Sequence, residues 1–307
     1  MRWCALSFAV AIAACGGGQK PAAPAPPAAP AKPPAAKPAE PPPNATVSGV
    51  YINDGCTQMK GDTNTIALLQ KACGGKDGEG CSKLAGFYLC GVAVPRDLAK
   101  AASFAEQGCD YNYFQSCGNV AMMIAYPDPP ISPPTAFQYA TKGCTGKDSD
   151  SCNTLGLMYL QGIGTPADPT KSAQIFEAMC KANNAGACAN LAMQAYFGMG
   201  VPRDLARAAQ LAESACNAGM PAACNTLGGI LMDQGGDANI RRAELLFTNI
   251  CNQPNGSGAC DNLGLLYQHG SGPIQVDKDK AAAAFKKACD GGFAKSCTHL
   301  ADLTSGN

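Results

Sequence analysis

Pairs of cysteines eight residues apart recur about every 36 residues along the chain, and this framework constrains the fold more than any other feature. Only the sixth pair is one residue wider. A fixed period of this length is typical of a solenoid built from stacked supersecondary units. A regular cysteine framework also indicates disulfides formed in an oxidising compartment. The seven pairs are Cys73 and Cys81, Cys109 and Cys117, Cys144 and Cys152, Cys180 and Cys188, Cys216 and Cys224, Cys251 and Cys260, and Cys289 and Cys297.

The residues between successive pairs predict two helices in each unit, named helix A and helix B below. In helix A, a leucine three residues after the cysteine, a glycine or alanine after four and a tyrosine after seven lie on one helical face, as in Cys152–Tyr159. A Gly-x-Gly run such as Gly162–Gly164 then ends the helix. An aspartate supplies the N-cap that the Ala-rich helix B needs. These aspartates are Asp97, Asp168, Asp204 and Asp277.

Two units and both ends of the array depart from this pattern. The unit from Cys117 to Cys144 replaces the Gly-x-Gly turn with a proline-rich segment, and the unit from Cys224 to Cys251 carries Gly235-Gly236 instead. Two helices with altered connections are still expected in each. Residues 63–73 predict a lone helix B and residues 297–303 a lone helix A. Terminal half-units of this kind cap a repeat array.

The cysteine spacing favours structural disulfides over a metal or redox site. The first cysteine of each pair is expected to end one helix B and the second to open the next helix A. A seven-residue reversal between them can bring the Cα atoms within the roughly 4.4–6.8 Å that a bridge requires. Zinc sites use closer cysteines together with histidines, and the chain has only His269 and His299. No Cys-x-x-Cys motif points to redox activity. Neither a metal nor a cofactor is therefore expected.

The N-terminal residues predict secretion and a spacer. Residues 1–14 combine Arg2 with an apolar run that is too short for a membrane span and has the length of a signal peptide. Residues 16–47 consist mainly of Pro, Ala, Lys and Gly, a composition that cannot bury a core and favours extended polyproline II conformation. At about 3.1 Å per residue this spacer could hold a folded domain roughly 80–100 Å from an anchor.

The sequence Ile12-Ala13-Ala14-Cys15-Gly16 resembles the lipobox of bacterial lipoproteins. The resemblance implies lipidation of Cys15, anchoring in a membrane, and sorting to the outer membrane because a glycine follows Cys15. The alternative is an ordinary signal peptide in which Cys15 is incidental. Of the 18 cysteines, Cys4 falls in the signal peptide and Cys15 is the lipid site, so sixteen remain. Cys56 and Cys90 are then available for an eighth bridge.

The recurring motif Cys-x-x-Leu-Gly-x-x-Tyr-x-x-Gly-x-Gly, followed by Asp-x-x-Lys-Ala, resembles the Sel1-like repeat, and more narrowly the cysteine-rich secreted members first known from Helicobacter. The resemblance covers residues 62–303. It implies an all-α solenoid of α/α hairpins in a right-handed superhelix, one disulfide at each hairpin junction, and an adaptor-type binding role. The expected divisions are a signal peptide (1–14), a tether (15–47), an N-terminal cap (48–80), the solenoid (81–303) and a tail (304–307).

The leading functional hypothesis is a monomeric, non-enzymatic envelope lipoprotein that binds a protein, peptide or cell-wall fragment. The 23 basic and 23 acidic residues balance, so no basic field favours nucleic acid. Solvent-facing positions of the inner helices usually line the binding surface of a solenoid. The candidate surface residues, two after each opening cysteine, are Lys83, Asn119, Thr154, Asn190, Thr226, Asn262 and His299. The residues six after it are mostly apolar and favour core positions: Phe87, Met123, Met158, Gln194, Ile230 and Leu266.

Two alternatives stay open at this stage. Some cysteine-rich relatives are described as penicillin-binding proteins or weak β-lactamases, so the resemblance allows a hydrolase. The chain contains no Ser-x-x-Lys, Ser-Asp-Asn or Lys-Thr-Gly motif, however. We interpret Ser82 and Ser296 as helix-capping residues, and the sequence gives His299 no evident partner. The other alternative is an envelope assembly or stress factor in which the tether and the rod matter more than a binding site.

Overall fold

Fourteen α-helices in alternating A and B roles make up the part of the chain that the computed structural model describes, which is residue 56 and residues 59–126, 128–254 and 256–305. We number them α1–α14 in chain order. The helices A are α2 (Gly78–Cys90), α4 (Phe114–Met122), α6 (Ser149–Gln161), α8 (Ala185–Phe197), α10 (Pro221–Gln234), α12 (Ser257–His269) and α14 (Ala294–Ser305). The helices B are α1 (Thr63–Gly74), α3 (Leu98–Asp110), α5 (Pro133–Thr145), α7 (Pro169–Lys181), α9 (Leu205–Asn217), α11 (Asp237–Cys251) and α13 (Lys278–Asp290).

The predicted capping residues set the helix ends. The side chain of each of the four predicted aspartates accepts a hydrogen bond from the backbone N–H three residues later, as Asp168 does from Lys171 at 3.0 Å. Three helices A end at a glycine in the left-handed conformation, with φ of 71–76° at Gly91, Gly162 and Gly198. Apart from one isolated bridge between Ser271 and Ile274, the described residues contain no β-structure. The all-α hairpin solenoid expected from the sequence is thereby confirmed.

Eight disulfides lie in the described residues, and seven of them join a helix B to the next helix A. Their Cα–Cα distances are 4.4–4.8 Å, within the range of ordinary bridges. The predicted disulfide at each hairpin junction is therefore present. The seven bridges join Cys73 to Cys81, Cys109 to Cys117, Cys144 to Cys152, Cys180 to Cys188, Cys216 to Cys224, Cys251 to Cys260, and Cys289 to Cys297.

The second cysteine of each bridge lies inside its helix A, so the expectation that it opens the helix is wrong. Cys81, Cys260 and Cys297 are the fourth residues of α2, α12 and α14, and the other four occupy the same place in their helices. Helix α2 starts early because Asp77 caps it, accepting from the backbone N–H of Glu79 at 3.1 Å. The placement leaves Cys81 and Cys260 buried, whereas Cys297, at the end of the array, is exposed. We keep the term opening cysteine for this position.

The eighth disulfide joins Cys56 to Cys90, the two cysteines outside the repeating pairs. It holds residues 59–62 across α2, where Gly61 passes close to the ring of Phe87. This segment covers the first helix A of the array.

Within each hairpin, the sizes of two residues are matched. One lies four positions after the opening cysteine of helix A, and the other lies four positions before the cysteine near the end of helix B. Where helix A carries glycine, helix B carries a buried phenylalanine. A methyl group added at Gly156 would lie 2.7 Å from Cε1 of Phe176, so only glycine leaves room for the ring. The glycine hairpins pair Gly156 with Phe176, Gly228 with Phe247 and Gly264 with Phe285. The other three hairpins carry alanine at both positions and pair Ala85 with Ala105, Ala121 with Ala140 and Ala192 with Ala212.

The two irregular units keep two helices each, as expected. In the first, α4 is only nine residues long and continues as the 3-10 turn Met123–Ala125, and Ser132 caps the following helix. In the second, Gly235 and Gly236 both have positive φ and lead directly into α11, which has no side-chain N-cap. The lone helix B and lone helix A expected at the ends are α1 and α14.

Among the described residues, no helix combines the length and the apolar character needed to cross a membrane. The expected signal peptide, the lipidated Cys15 and the tether all lie outside the described residues.

Candidate binding surface

Four of the seven predicted surface residues hydrogen-bond to the preceding repeat. In each case the partner follows the opening cysteine of the preceding helix A by one residue. Asn190 donates from Nδ2 to Oδ1 of Asn153 at 2.9 Å, and Asn262 donates in the same way to Asn225 at 2.9 Å. The other two contacts join Asn119 Nδ2 to Ser82 Oγ at 3.3 Å and His299 Nδ1 to Asp261 Oδ1 at 2.8 Å.

These contacts occur only where successive helices A stand apart. The backbones of α4 and α6 lie close together, and so do those of α8 and α10. The backbones of α6 and α8 lie further apart. The pairs α2/α4, α10/α12 and α12/α14 are also more separated than the two close pairs. We call α4/α6 and α8/α10 the closed junctions and the others the open junctions. Every open junction carries one of the four side-chain contacts described above.

Small residues explain why two junctions are closed. After the opening cysteine, the closed junctions place Gly118 and Ala189 where the open junctions place Ser, Asn or Asp. A methyl group added at Gly118 would lie 3.0 Å from Oγ of Ser151 in α6, so this close approach depends on the missing side chain. The larger side chains of the open junctions keep the helices apart and bridge the space by hydrogen bonding.

The remaining three predicted residues do not join this set of contacts. Thr154 is only 3 % exposed, so the prediction that it lies on a solvent-facing surface is wrong. It is buried because α4 and α6 are in close contact. Thr226 donates to the backbone carbonyl of Ala222 in its own helix at 3.0 Å. Lys83 is exposed and forms an ion pair with Glu79 at 2.7 Å. The mostly apolar row six residues after the cysteine is buried, as expected of core positions.

The last open junction contains a buried carboxylate. Asp261 is 4 % exposed and accepts from the hydroxyl of Ser296 at 2.5 Å as well as from His299. Two interpretations made from the sequence are therefore wrong. Ser296 does not cap a helix but bonds to the preceding repeat, and His299 does have a partner. Ser82 does not cap α2 either, because it lies within the helix and accepts from Asn119.

This cluster does not have the geometry of a nucleophile activated by a histidine. Both Ser296 and His299 are bonded to the same oxygen of Asp261, and no hydrogen bond joins the hydroxyl to the imidazole. Ser296 is also fully buried. The three residues hold α14 to α12. Within the described residues, no group of three or more His, Cys, Asp and Glu side chains could hold a metal ion.

Half-buried apolar residues accompany the two asparagine pairs. These residues follow the opening cysteine by five positions, one helical turn beyond the paired residues on the same face. At the α6/α8 junction they are Leu157 and Met193, and at the α10/α12 junction Leu265 is apolar whereas Gly229 leaves the position without a side chain. The surface formed by helices A therefore offers amide groups and apolar side chains side by side.

In three hairpins the motif lysine and the motif tyrosine contact each other and join helix B to helix A. The lysine of the Asp-x-x-Lys motif lies over the tyrosine ring of its own hairpin, 5.4 Å from the centroid for Lys100 and Tyr88, 5.3 Å for Lys171 and Tyr159, and 5.2 Å for Lys280 and Tyr267. Burial, reinforced by a hydrogen bond to Glu244, raises the pKa of Tyr267 to about 12. This tyrosine contributes to packing and does not titrate near neutral pH.

Sequence reasoning missed the partner residues Ser82, Asn153, Asn225 and Asp261. A signal for them was present, because the position after the opening cysteine is polar in these four units and small in the two closed ones. Along the array the open and closed junctions alternate over the first five junctions, and the sixth junction is open like the fifth. An alignment of all units to one consensus hides this pattern, because it treats the polar and the small residues at this position as ordinary variation.

The family comparison follows the regular units of this fold. The model of the Sel1 repeat matches residues 78–110, 149–184, 185–220 and 257–293. The chain is a Sel1 repeat protein. The matched segments omit the two units with irregular connections, residues 111–148 and 221–256, which nevertheless form hairpins of the same kind.

Two solved structures similar to this Sel1 repeat protein share its fold. The Sel1 repeat protein from Oxalobacter formigenes is 25% identical with a TM-score of 0.63, over 82% of this chain and 73% of its own. The protective antigen c5321 of uropathogenic Escherichia coli, described as displaying an SLR fold, is 22% identical with a TM-score of 0.60 over 76% of this chain. The match spans only 50% of that antigen. Cysteine-rich protein B of Helicobacter pylori is 29% identical over 42% of this chain and 93% of its own, with a TM-score of 0.35. No curated protein matches the chain.

Proposed function

We propose that this Sel1 repeat protein is a non-enzymatic scaffold that binds a protein or peptide segment outside the cytoplasm. The observation that carries the proposal is the row of paired polar side chains along helices A, together with the apolar residues beside it. A repeat array presents such a row as an extended surface, which fits an elongated partner better than a small substrate. The eight disulfides indicate an oxidising compartment.

The proposal includes a membrane anchor. In this arrangement the lipidated Cys15 holds the protein in the outer membrane, and the Pro/Ala-rich tether separates the rod from the bilayer. Replacement of Cys15 by serine should then move the protein from the membrane fraction to the soluble envelope fraction. Unchanged partitioning would contradict the anchor and leave the binding role standing.

Panning of a library of random displayed peptides on the full-length, disulfide-bonded protein tests the binding role. We expect enriched peptides that bind saturably and compete with one another for one surface. Failure to enrich any peptide above a reduced and unfolded control would contradict the proposal. A second arm incubates the same protein with a labelled penicillin, because covalent labelling or turnover would contradict the non-enzymatic role.

A further inference from the structure

The two asparagine pairs at the open junctions have hydrogen-bonding groups left over. Each carboxamide has two N–H donors and one oxygen with two lone pairs. The Asn190–Asn153 bond uses one donor and one lone pair. Among the described residues, Nδ2 of Asn153 and Oδ1 of Asn190 have no protein partner, and neither is a buried unpaired atom, so both remain in contact with solvent.

The Asn225–Asn262 pair repeats this arrangement two units further on. Asn262 Nδ2 bonds to Asn225 Oδ1, which leaves Nδ2 of Asn225 and Oδ1 of Asn262 unpartnered among the described residues. Each pair therefore presents one amide nitrogen and one amide oxygen that make no hydrogen bond within the described residues, and the two atoms lie on neighbouring side chains. A peptide group has the complementary set, one carbonyl oxygen and one N–H. The two pairs are therefore equivalent sites for the same chemical group.

The distance between the two pairs fits an extended chain. Packed helices lie about 8–10 Å apart and the open junctions are wider, so the two repeats between the pairs span at least roughly 20 Å. An extended peptide rises about 3.3 Å per residue and covers this distance in about six residues. Side chains of such a peptide that point towards the surface would meet Leu157, Met193 and Leu265, which are half-buried.

We propose that the two pairs, Asn153 with Asn190 and Asn225 with Asn262, bind the backbone of an extended peptide at two points about six residues apart. The proposal rests on the proposed scaffold function and names its site and ligand class. Recognition is through backbone amides, so the site selects an extended conformation with apolar residues on one face more strongly than it selects a particular sequence. The closed junctions take no part, because Gly118 and Ala189 offer no such groups.

The test uses variants that the chain itself shows to be compatible with the fold. Threonine occupies the position of Asn190 and Asn262 at both closed junctions, in Thr154 and Thr226. We therefore choose Asn190→Thr, Asn262→Thr and the double variant, all in the full-length oxidised protein. Thr226→Ala is the matched control, since it changes the same helical position at a closed junction. Near-ultraviolet circular dichroism and thermal unfolding check that each variant is folded.

The probe is a synthetic peptide of alternating leucine and threonine residues with a lysine at each end, long enough to span both pairs. We expect each single variant to bind it about tenfold more weakly and the double variant about a hundredfold more weakly, since a net hydrogen bond contributes about 0.5–1.5 kcal/mol and each pair makes two. Thr226→Ala should bind as the wild type does. The side-chain amide signals of the four asparagines should shift in the NMR spectrum on binding.

Several results would overturn the inference. These are an absence of binding by the wild type, equal binding by the double variant, or amide shifts confined to other residues. Tighter binding of an acetylated glycan than of the peptide would also overturn it, because a sugar acetamide offers the same groups without the spacing. If displayed peptides bind but the double variant retains them, the scaffold function stands and the asparagine site is wrong. If no displayed peptide binds either, both fail.

Discussion

Asp261 of α12 accepts a hydrogen bond from Nδ1 of His299 of α14 at 2.8 Å, across the last junction of the array. The carboxylate is buried and also accepts from Ser296. This cluster links α14, the last helix of the described residues, to the rest of the solenoid. The Cys289–Cys297 bridge holds the start of α14 to α13, and the cluster holds α14 to α12, so the cluster should limit local opening of α14.

We expect Asp261→Ala to destabilise the C-terminal end of the array. The change leaves the hydroxyl of Ser296 and an N–H of His299 without an acceptor, at a cost of about 1–3 kcal/mol for a buried unpaired group. Hydrogen exchange should show faster exchange in α14 than in α8. Asp261→Asn is the matched control, because Asn153 and Asn225 occupy the equivalent position at other open junctions. Equal protection of α14 in the alanine variant and the wild type would contradict this role.

The matched glycine–phenylalanine and alanine–alanine hairpins predict strong coupling between two positions. Gly156→Ala should cost about 1–3 kcal/mol by overpacking against Phe176, and Phe176→Ala about 3–5 kcal/mol by opening a cavity. The double variant recreates the alanine pair found at Ala85 and Ala105. Its loss of unfolding free energy, measured in urea, should be clearly smaller than the sum of the two single losses. Simple additivity would show that the two positions are independent.

The disulfides should differ in their contributions according to the loops that they close. In the chain-entropy model, replacing Cys180 and Cys188 by alanine removes about 2–3 kcal/mol for an eight-residue separation, whereas replacing Cys56 and Cys90 removes about 4 kcal/mol for a separation of 34. The second double variant should also release residues 59–62 from α2, which limited proteolysis can detect. An unchanged cleavage pattern would contradict the covering role of this segment.

The aspartate N-caps predict part of the acid sensitivity. Hydrogen bonds from the backbone N–H groups three residues later, those of Lys100, Lys171 and Lys280, lower the pKa values of their aspartates below the ordinary 3.8. A lowered folded-state pKa gives stability that is present above the unfolded value and is lost as the pH falls through the folded one. The loss should therefore occur below about pH 4. The three aspartates are Asp97, Asp168 and Asp277.

A triple variant, Asp97→Asn, Asp168→Asn and Asp277→Asn, separates the charge from the cap. Asparagine keeps the hydrogen bond, as Asn184 does when it accepts from Ala187 N–H at 2.8 Å. The unfolding free energy of the variant should vary less steeply with pH below about 4 than that of the wild type. An identical slope would mean that other carboxylates cause the acid sensitivity.

The regular part of the fold was predictable because each signal is local and recurs. The spacing of Cys152, Leu155 and Tyr159 defines a helical face, and Asp168 and Gly162 mark helix ends. Helix A begins three residues before its cysteine, earlier than the cysteine spacing predicts. The N-cap residue lies in the loop before the cysteine, and its type varies from unit to unit: it is aspartate in α6, asparagine in α8 and methionine in α10.

The binding surface was predictable only in part, since it depends on how successive helices A approach. Thr154 and Asn190 occupy the same position in their repeats, yet one is buried at a closed junction and the other is half-exposed at an open one. That difference arises from Gly118 and Asn153, in each case a residue of the preceding unit.

A crystal structure of the full-length protein with the tightest peptide selected by display tests the asparagine site most directly. We expect an extended peptide lying across helices A, with backbone N–H and C=O groups within hydrogen-bonding distance of Asn153 and Asn190, and again of Asn225 and Asn262 about six residues along. A peptide bound to helices B, at an end of the array, or in a helical conformation would contradict this site.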